Sequence, residues 1–322
     1  MLSLRGCMVA LVTPFKGGQV DEAALKRLVE FQIASGTTAV VPCGTTGESA
    51  TLSHEEHDQV IETVVQAARG RIAVIAGTGS NNTQEAVRLT RHAKQAGADG
   101  ALLISPYYNK PTQRGLYLHF KTVAEAVDLP IILYNIASRT AVNIEPDTIA
   151  KIAADVPNVV GIKESSGSLE QMSRIRQLTN GKLTLISGDD ALTLPVLSIG
   201  GTGVISVVAN IVPKDVTAMV RAFEQRQTRE AAAWHEKLLP LVKAMFLETN
   251  PIPVKTAMGI LGMIEPGLRL PLCEMDDANR GRLQAALDAY GLKPQGRTTQ
   301  DARRKKTTTP RVSSLGSRVK KS

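Results

Sequence analysis

Short runs of apolar residues recur along the first two thirds of the chain, and helical patterns separate most of them. The runs are continuous rather than alternating, which is typical of strands that are covered on both faces, as in a parallel sheet. We predict eight such strands, at residues 8–12, 39–42, 72–76, 101–104, 130–133, 159–162, 183–186 and 203–207.

The segments between these runs carry helix-start residues and the periodicity of a single apolar face. Asp21 precedes an apolar stripe over residues 25–33, and Ser53 with Glu56 has the spacing of a capping box. Eight strands alternating with helices favour a (β/α)8 TIM barrel, of the α/β class, over a doubly wound sheet with a dinucleotide-binding motif.

Strand patterns stop after residue 215, and only helical patterns follow. They predict a C-terminal helical appendage with three helical stretches, at 215–247, 252–262 and 276–290. The predicted organisation is therefore a barrel over residues 1–214, a C-terminal helical region over 215–292 and a disordered basic tail over 293–322.

The net charge of +8 is confined to the C-terminal end of the chain. Residues 297–322 contain nine Lys or Arg and one acid, Asp301, so residues 1–296 carry no net charge. A neutral body lacks the basic surface that nucleic-acid binding requires. We therefore expect no nucleic-acid partner for the body, and the tail is left without a predicted role.

Cysteine content and hydropathy indicate the compartment. Cys7, Cys43 and Cys273 lie far apart, without the spacing of a disulfide framework or a metal site, which suits a reducing cytoplasm. The apolar run near the N-terminus ends at Thr13–Pro14 and is too short for a signal sequence. No stretch approaches the length of a membrane span, so we expect no membrane partner.

Lys163 closes the buried run at residues 159–162, and small residues follow it. Burying an ammonium without a partner is costly, whereas a neutral amine is a nucleophile that attacks carbonyl groups. Taken alone, a lysine here more often extends into water. In a TIM barrel, however, chemistry lies at the carboxyl ends of the strands, which is where Lys163 falls.

Other strand ends carry polar or small residues that could act with this lysine. Tyrosines end two strands, and the Gly44–Glu48 loop offers backbone amides to a carboxylate, although a tight turn would explain its glycines equally well. Arg139 could hold a second carboxylate through two hydrogen bonds. The combined prediction is Schiff-base aldol chemistry, with the lysine attacking a 2-oxo acid and hydroxyl groups relaying protons. The strand-end candidates are Thr45, Thr46, Tyr107, Tyr108, Tyr134, Gly188 and Ile205.

The chain resembles the dihydrodipicolinate synthase family, within the N-acetylneuraminate lyase group of class I aldolases. The resemblance covers about residues 5–292 and is carried by five motifs: Gly44-Thr45-Thr46-Gly47-Glu48-Ser49, Pro106-Tyr107-Tyr108-Asn109, Tyr134-Asn135, Gly161-Ile162-Lys163-Glu164 and Ser187-Gly188-Asp189-Asp190.

This resemblance implies the condensation of pyruvate with L-aspartate 4-semialdehyde to 4-hydroxy-tetrahydrodipicolinate, the first committed step of lysine and diaminopimelate biosynthesis. No cofactor is implied beyond the covalent Schiff base on Lys163. Tyr134 matches the proton donor and acceptor, and Thr45 and Tyr108 match the rest of a proton relay, with Tyr107 reaching across a dimer interface. The substrate-binding positions it implies are Thr46, Ile205, Arg139 and Gly188.

The resemblance also implies regulation and assembly. Feedback-inhibited members of the family bind L-lysine at a dimer interface, and the family forms homotetramers built from two tight dimers. The matching allosteric positions here are Ser49, Ala50, His54, His57, Asn81, Glu85 and Tyr107. Taken without the resemblance, His54 and His57 are surface histidines whose spacing does not fit a zinc-protease helix.

One departure from the family pattern and two alternative functions remain open. Ala137 and Ala141 stand where the family commonly has Pro and Gly, which puts the loop of Arg139 in doubt.

A lyase for N-acetylneuraminate or 2-keto-3-deoxy sugar acids would use the same lysine and tyrosine, although the tyrosine pair and Ser138–Thr140 favour a short dicarboxylate-like product. A catalytically idle barrel that senses lysine, or that docks on nucleic acid through its tail, fits poorly with intact catalytic positions.

Overall fold

A computed structural model describes residues 2–294 and contains a closed barrel of eight parallel strands. The barrel strands pair in the order β1-β10-β9-β8-β7-β6-β5-β4, and β4 closes the ring on β1. The short strands β2 and β3 form a separate antiparallel pair. The predicted TIM barrel is therefore confirmed. The strands are β1 Gly6–Ala10, β2 Phe15–Lys16, β3 Gln19–Val20, β4 Ala39–Val41, β5 Ala73–Gly77, β6 Gly100–Ile104, β7 Ile131–Asn135, β8 Val159–Glu164, β9 Thr184–Ser187 and β10 Gly203–Ser206.

Helices alternate with the barrel strands and continue past the last of them. At the start of α2 both halves of the capping box form: the Glu56 amide donates to Ser53 Oγ at 3.2 Å, and the Ser53 amide donates to Glu56 Oε2 at 3.0 Å. The helices are α1 Glu22–Ala34, α2 His54–Ala68, α3 Thr83–Ala96, α4 Gln113–Ala126, α5 Ala137–Thr140, α6 Pro146–Asp155, α7 Leu169–Leu178, α8 Thr193–Ser198, α9 Pro213–Glu224, α10 Thr228–Ala244, α11 Ile252–Ile260 and α12 Asp277–Tyr290.

The helical stretch predicted at residues 215–247 is two helices, so this prediction was wrong. The chain turns between α9 and α10, where Arg226 takes a left-handed φ of 62°. α9 packs against β1 and α10 packs against α9. The turn contains no Gly or Pro, so the sequence carries no visible break at this point.

The barrel interior determines which side chains can meet at its mouth. Alternate residues of each strand point inward, and Met8, Ile132, Ile186 and Ile205 fill the interior together with Tyr134. A second apolar layer lies between the strands and the surrounding helices.

The helices and the C-terminal tail bear on the predictions for membrane spans and disorder. Between residues 2 and 294, no helix is long and apolar enough to cross a membrane. The tail predicted to be disordered, residues 293–322, lies outside the described residues except for Lys293 and Pro294.

Candidate active site

Lys163 and Tyr134 lie side by side inside the barrel, at the carboxyl ends of β8 and β7. The two residues are register partners in adjacent strands, and Ile186 is the register partner of Lys163 on the other side. The Lys163 Nζ atom lies 4.0 Å from the centroid of the Tyr134 ring. The two residues are only 6% and 5% exposed, so the lysine does not extend into water.

The carboxylate next to Lys163 in sequence faces the other side of the strand. Glu164 accepts hydrogen bonds from Asn135 Nδ2 at 3.1 Å, from Gln171 Nε2 at 3.1 Å and from the Ser166 amide at 2.7 Å. This buried group of side chains fixes the end of β8 from outside the barrel. Glu164 therefore supports the strand end, and its carboxylate forms no ion pair with the Lys163 amine.

Gly188 provides the space that the Lys163 side chain occupies. A Cβ atom at this position would lie 2.9 Å from Lys163 Cε and would overlap Ser165 Oγ. Real Cβ atoms essentially never come that close to another heavy atom. The structure thus gives Gly188 a steric function, which sequence reasoning had not specified.

The Gly44–Glu48 loop follows β4 and lies at the same mouth of the barrel. Its later amides are used within the loop, since those of Gly47 and Ser49 donate to Gly44 O at 3.0 and 3.4 Å. Within residues 2–294, the amides of Thr45 and Thr46 donate to no other group. Two adjacent amides without acceptors can bind a small anion such as a carboxylate.

Asn250, which sequence reasoning missed, connects two of the predicted substrate positions. Its Nδ2 donates to Thr46 Oγ1 at 3.0 Å, and its backbone carbonyl accepts from Arg139 Nη2 at 3.1 Å. The residue lies just before α11, outside every predicted strand end, so no pattern in the sequence pointed to it. Ile205, the remaining predicted substrate position, is buried inside the barrel on β10.

The loop that carries Arg139 is ordered in spite of its two alanines. Residues 137–140 form the short helix α5, and Ala141 ends it with a left-handed φ of 58°. Glycine, the residue that the family resemblance leads us to expect here, adopts this conformation without steric cost. Ala141 preserves the conformation at some cost in strain, so the loop still presents Arg139 to the cleft.

Tyr107 and Tyr108 point to different places. Tyr107 lines the cleft of its own chain and is 38% exposed, whereas Tyr108 is 89% exposed and does not line it. Tyr108 also has a left-handed φ of 72°, which turns the loop outward. The structure therefore does not bring Tyr108 to Thr45 and Tyr134 within one chain.

A single cleft of about 470 Å³ is lined by some of the predicted catalytic and substrate positions and by most of the predicted allosteric positions. Thr45, Tyr134 and Arg139 line one part of it. The allosteric positions that line it are Ser49, Ala50, His54, His57, Glu85 and Tyr107. Asn81 does not line the cleft, but its carbonyl accepts from Asn109 Nδ2 at 2.9 Å and so ties down the tyrosine loop.

The part of the cleft that the predicted allosteric positions line contains the carboxylate of Glu85. His54 Nε2 lies 2.8 Å from Glu85 Oε1, and Ser80 Oγ donates to the other oxygen of that carboxylate. The hydrogen bond from Ser80, followed by that from His54, lowers the pKa of Glu85, so the group is anionic at neutral pH. Burial lowers the pKa of His57, whose Nε2 donates to Gly77 O at 2.9 Å. Across residues 2–294, no cluster of three or more His, Cys, Asp or Glu could hold a metal ion.

A buried lysine against a tyrosine ring, at the carboxyl ends of the strands of an eight-stranded parallel barrel, is the arrangement of a class I aldolase. The model of the dihydrodipicolinate synthetase family matches residues 3–290, and the chain belongs to this family. The basic residues 297–322 lie beyond the matched range.

Known proteins of this family are similar over nearly their whole length. The chain is 58% identical over 287 residues to the 4-hydroxy-tetrahydrodipicolinate synthase of Endomicrobium trichonymphae, which covers 89% of this chain and 98% of that relative. The crystal structure of dihydrodipicolinate synthase from Aquifex aeolicus has a TM-score of 0.89 and 53% identity, with 91% of this chain and 100% of that chain covered. The lysine-bound enzyme from Cyanidioschyzon merolae has a TM-score of 0.87 and 42% identity, with 89% and 98% covered.

Proposed function

We propose that the chain condenses pyruvate with L-aspartate 4-semialdehyde to give 4-hydroxy-tetrahydrodipicolinate, with Lys163 as the Schiff-base nucleophile. The observation that carries this proposal is the buried Lys163 amine, 4.0 Å from the centroid of the Tyr134 ring. The names of the relatives support the substrates. None of them supports a lyase for N-acetylneuraminate or sugar acids.

The first half of the reaction joins pyruvate to the enzyme. The amine nitrogen of Lys163 attacks the ketone carbon, and loss of water leaves an iminium ion in place of the carbonyl. The free amides of Thr45 and Thr46 hold the pyruvate carboxylate near the strand ends. Loss of a methyl proton then gives an enamine, which is the carbon nucleophile of the second half.

In the second half the enamine attacks the aldehyde, and a carbon–carbon bond forms. Arg139 holds the carboxylate of the semialdehyde, and Asn250 keeps its guanidinium in place. The amino group of the semialdehyde then attacks the iminium carbon, which closes the ring and releases Lys163. Tyr134 and Thr45 transfer the protons that these steps require.

Tyr108 takes part in the proton relay only if a second copy of the chain supplies it. Its side chain is 89% exposed, on a loop beside the cleft, and a large aromatic side chain in that position suits a protein interface. We therefore propose that Tyr108, rather than Tyr107, crosses the interface of a tight dimer. Pairing of two such dimers would give the homotetramer that the family resemblance implies.

The allosteric part of the cleft suits L-lysine. The Glu85 carboxylate can accept the ammonium group of the amino acid, and Tyr107 supplies an apolar wall. The enzyme from Cyanidioschyzon merolae has been crystallised with lysine bound. We expect L-lysine to inhibit this enzyme, and unchanged activity up to millimolar L-lysine would contradict that expectation.

A coupled assay tests the proposed substrates directly. Pyruvate is supplied with either aspartate 4-semialdehyde or N-acetylmannosamine, and product formation is followed for each. We expect turnover with the semialdehyde alone, because Arg139 lines the cleft and can bind a second carboxylate. Turnover with N-acetylmannosamine alone would assign the chain to the lyase branch.

The three free cysteines, two of them buried, support a cytoplasmic location for the reaction.

A further inference from the structure

A fully buried ion pair lies directly behind the anion-binding loop and uses a lysine from the C-terminal helical region. Lys255 Nζ, on α11, donates to Glu48 Oε1 at 2.5 Å and to the carbonyl of Thr13 at 2.9 Å. Both side chains of the pair are 0% exposed. The mechanism above uses neither residue, so the cost of burying two charges requires another explanation.

The loop needs an anchor because the residue before it and its own last residue are both strained. Cys43 and Glu48 take left-handed φ values of 56° and 54°. This conformation costs about 1–2 kcal/mol for a residue with a side chain, and it persists only where the surroundings enforce it. For Glu48 the surroundings are Lys255 on one carboxylate oxygen and the Arg269 amide, at 3.2 Å, on the other.

The Lys255–Glu48 pair also holds the part of the loop that carries the Thr45 and Thr46 amides. Thr13 Oγ1 donates to Gly47 O at 2.7 Å, and Thr13 O accepts from Lys255, so one ammonium supports the loop from two sides. The anchored loop includes Thr45 and Thr46, whose amides have no other acceptor among the described residues. The position of the pair therefore sets where those amides point.

We propose that Lys255 is a positioning residue for pyruvate binding, and that it acts by holding Glu48 and thereby the Gly44–Glu48 loop. The inference rests on the proposed function, since it names the group that orients the pyruvate carboxylate. It also makes the C-terminal helical region part of the active site. Lys255 does not touch the substrate, so its effect is on affinity more than on the reacting atoms.

The test compares Lys255→Met, Glu48→Gln and the double variant. In Lys255→Met, Glu48 is a buried charge without a cation, and the loop shifts toward water. We expect kcat/KM for pyruvate to fall by about 10²-fold, the cost of a displacement of about 1 Å in a positioned group. Most of this loss should lie in KM for pyruvate, with KM for the semialdehyde unchanged. The double variant removes both charges and should regain at least tenfold.

One further measurement and one control variant separate positioning from unfolding. Hydrogen exchange of the peptide at residues 44–51 should speed up in Lys255→Met and slow again in the double variant, whether or not the substrates are those proposed. Lys237→Met is the matched control, because the Lys237 side chain on α10 is 49% exposed and pairs with Asp215 of α9 at 3.0 Å, away from the Gly44–Glu48 loop. It should match the wild type in both measurements.

The possible failures are distinguishable. If wild-type enzyme does not form a borohydride-trapped adduct with pyruvate, the proposed function fails. If it does, and folded Lys255→Met keeps its KM for pyruvate, the positioning role is wrong. Equal losses in the single and double variants would also overturn it, because they would show that the two residues do not act as a pair. If Lys255→Met does not fold, Lys255→Gln replaces it in the same comparison.

Discussion

Single residues at the barrel mouth show which kinds of function a sequence reveals. The placement of Lys163 and Tyr134 at the barrel mouth was predictable, because a charged or aromatic residue at the end of a buried apolar run is conspicuous. The steric function of Gly188 and the bridging function of Asn250 were not, because each depends on a neighbour distant in sequence. Contacts of this kind are set by the closure of the barrel, which no local pattern encodes.

Gly188→Ala should reduce activity while leaving the fold intact. The added methyl group would overlap Ser165 Oγ and lie 2.9 Å from Lys163 Cε, so Ser165 has to rotate away and Lys163 has to shift. We expect its amine to move by about 1 Å and kcat/KM for pyruvate to fall by about 10²-fold. Steady-state kinetics, together with a thermal melt, measures both effects.

Gly281→Ala is the matched control for that substitution. Gly281 lies within α12, and an added Cβ would meet nothing within 4 Å. Alanine should stabilise the helix by about 0.5–1 kcal/mol and leave kcat/KM unchanged. Full activity in Gly188→Ala would show that Lys163 does not need the space that glycine leaves.

Among the secondary-structure elements, the eight barrel strands were predictable and the helix boundaries less so. Strands buried on both faces give continuous apolar runs, and these marked every barrel strand to within a few residues. The break between α9 and α10 was missed because a non-glycine residue, Arg226, makes the turn. The capping box of α2 was predictable because both of its partners lie within four residues of each other.

The packing of α4 against α3 predicts a dependence of stability on pH. His119 of α4 is buried, and burial lowers its pKa from 6.5 to about 4. Between these values the unfolded chain binds a proton that the folded chain does not, so the free energy of unfolding falls as the pH drops. His119 should contribute a loss of about 2 kcal/mol between pH 7 and pH 5.

Denaturant unfolding of the wild type and of His119→Asn, at pH 7 and at pH 5, isolates this contribution. Asparagine can still accept the hydrogen bond that Thr83 Oγ1 shares with His119 Nδ1 at 3.0 Å, but it does not titrate in this range. The variant should lose about 2 kcal/mol less than the wild type over this interval. Equal losses in the two proteins would show that His119 is already protonated in the folded state at pH 5.

The whole molecule combines a repeating barrel with a C-terminal region that the barrel pattern does not require. The sequence predicted that region as helices, but nothing in it showed that Asn250 and Lys255 reach the loop of Thr45 and Thr46. The role of Tyr108 was likewise not visible in the sequence, because it depends on a second chain. Within one chain the residue is exposed and does not line the cleft.

Mixing two inactive variants tests whether Tyr108 is shared between copies. Lys163→Ala and Tyr108→Phe should each be nearly inactive alone. In a mixed dimer, the site with intact Lys163 receives Tyr108 from the other chain, so one site of the two is complete. Random pairing after co-refolding should restore about a quarter of the wild-type activity. No recovery in confirmed mixed dimers would place Tyr108 within its own site, and full activity of Tyr108→Phe alone would place it outside the relay.

The central claim is that Lys163 forms a Schiff base with pyruvate. The enzyme is incubated with pyruvate, reduced with borohydride, digested and mapped by mass spectrometry, with a sample lacking pyruvate as the control. We expect one reduced pyruvyl adduct, on the peptide that contains Lys163, and none in Lys163→Ala. An adduct on Lys255 or on any other lysine, or no adduct in active wild-type enzyme, would contradict the account.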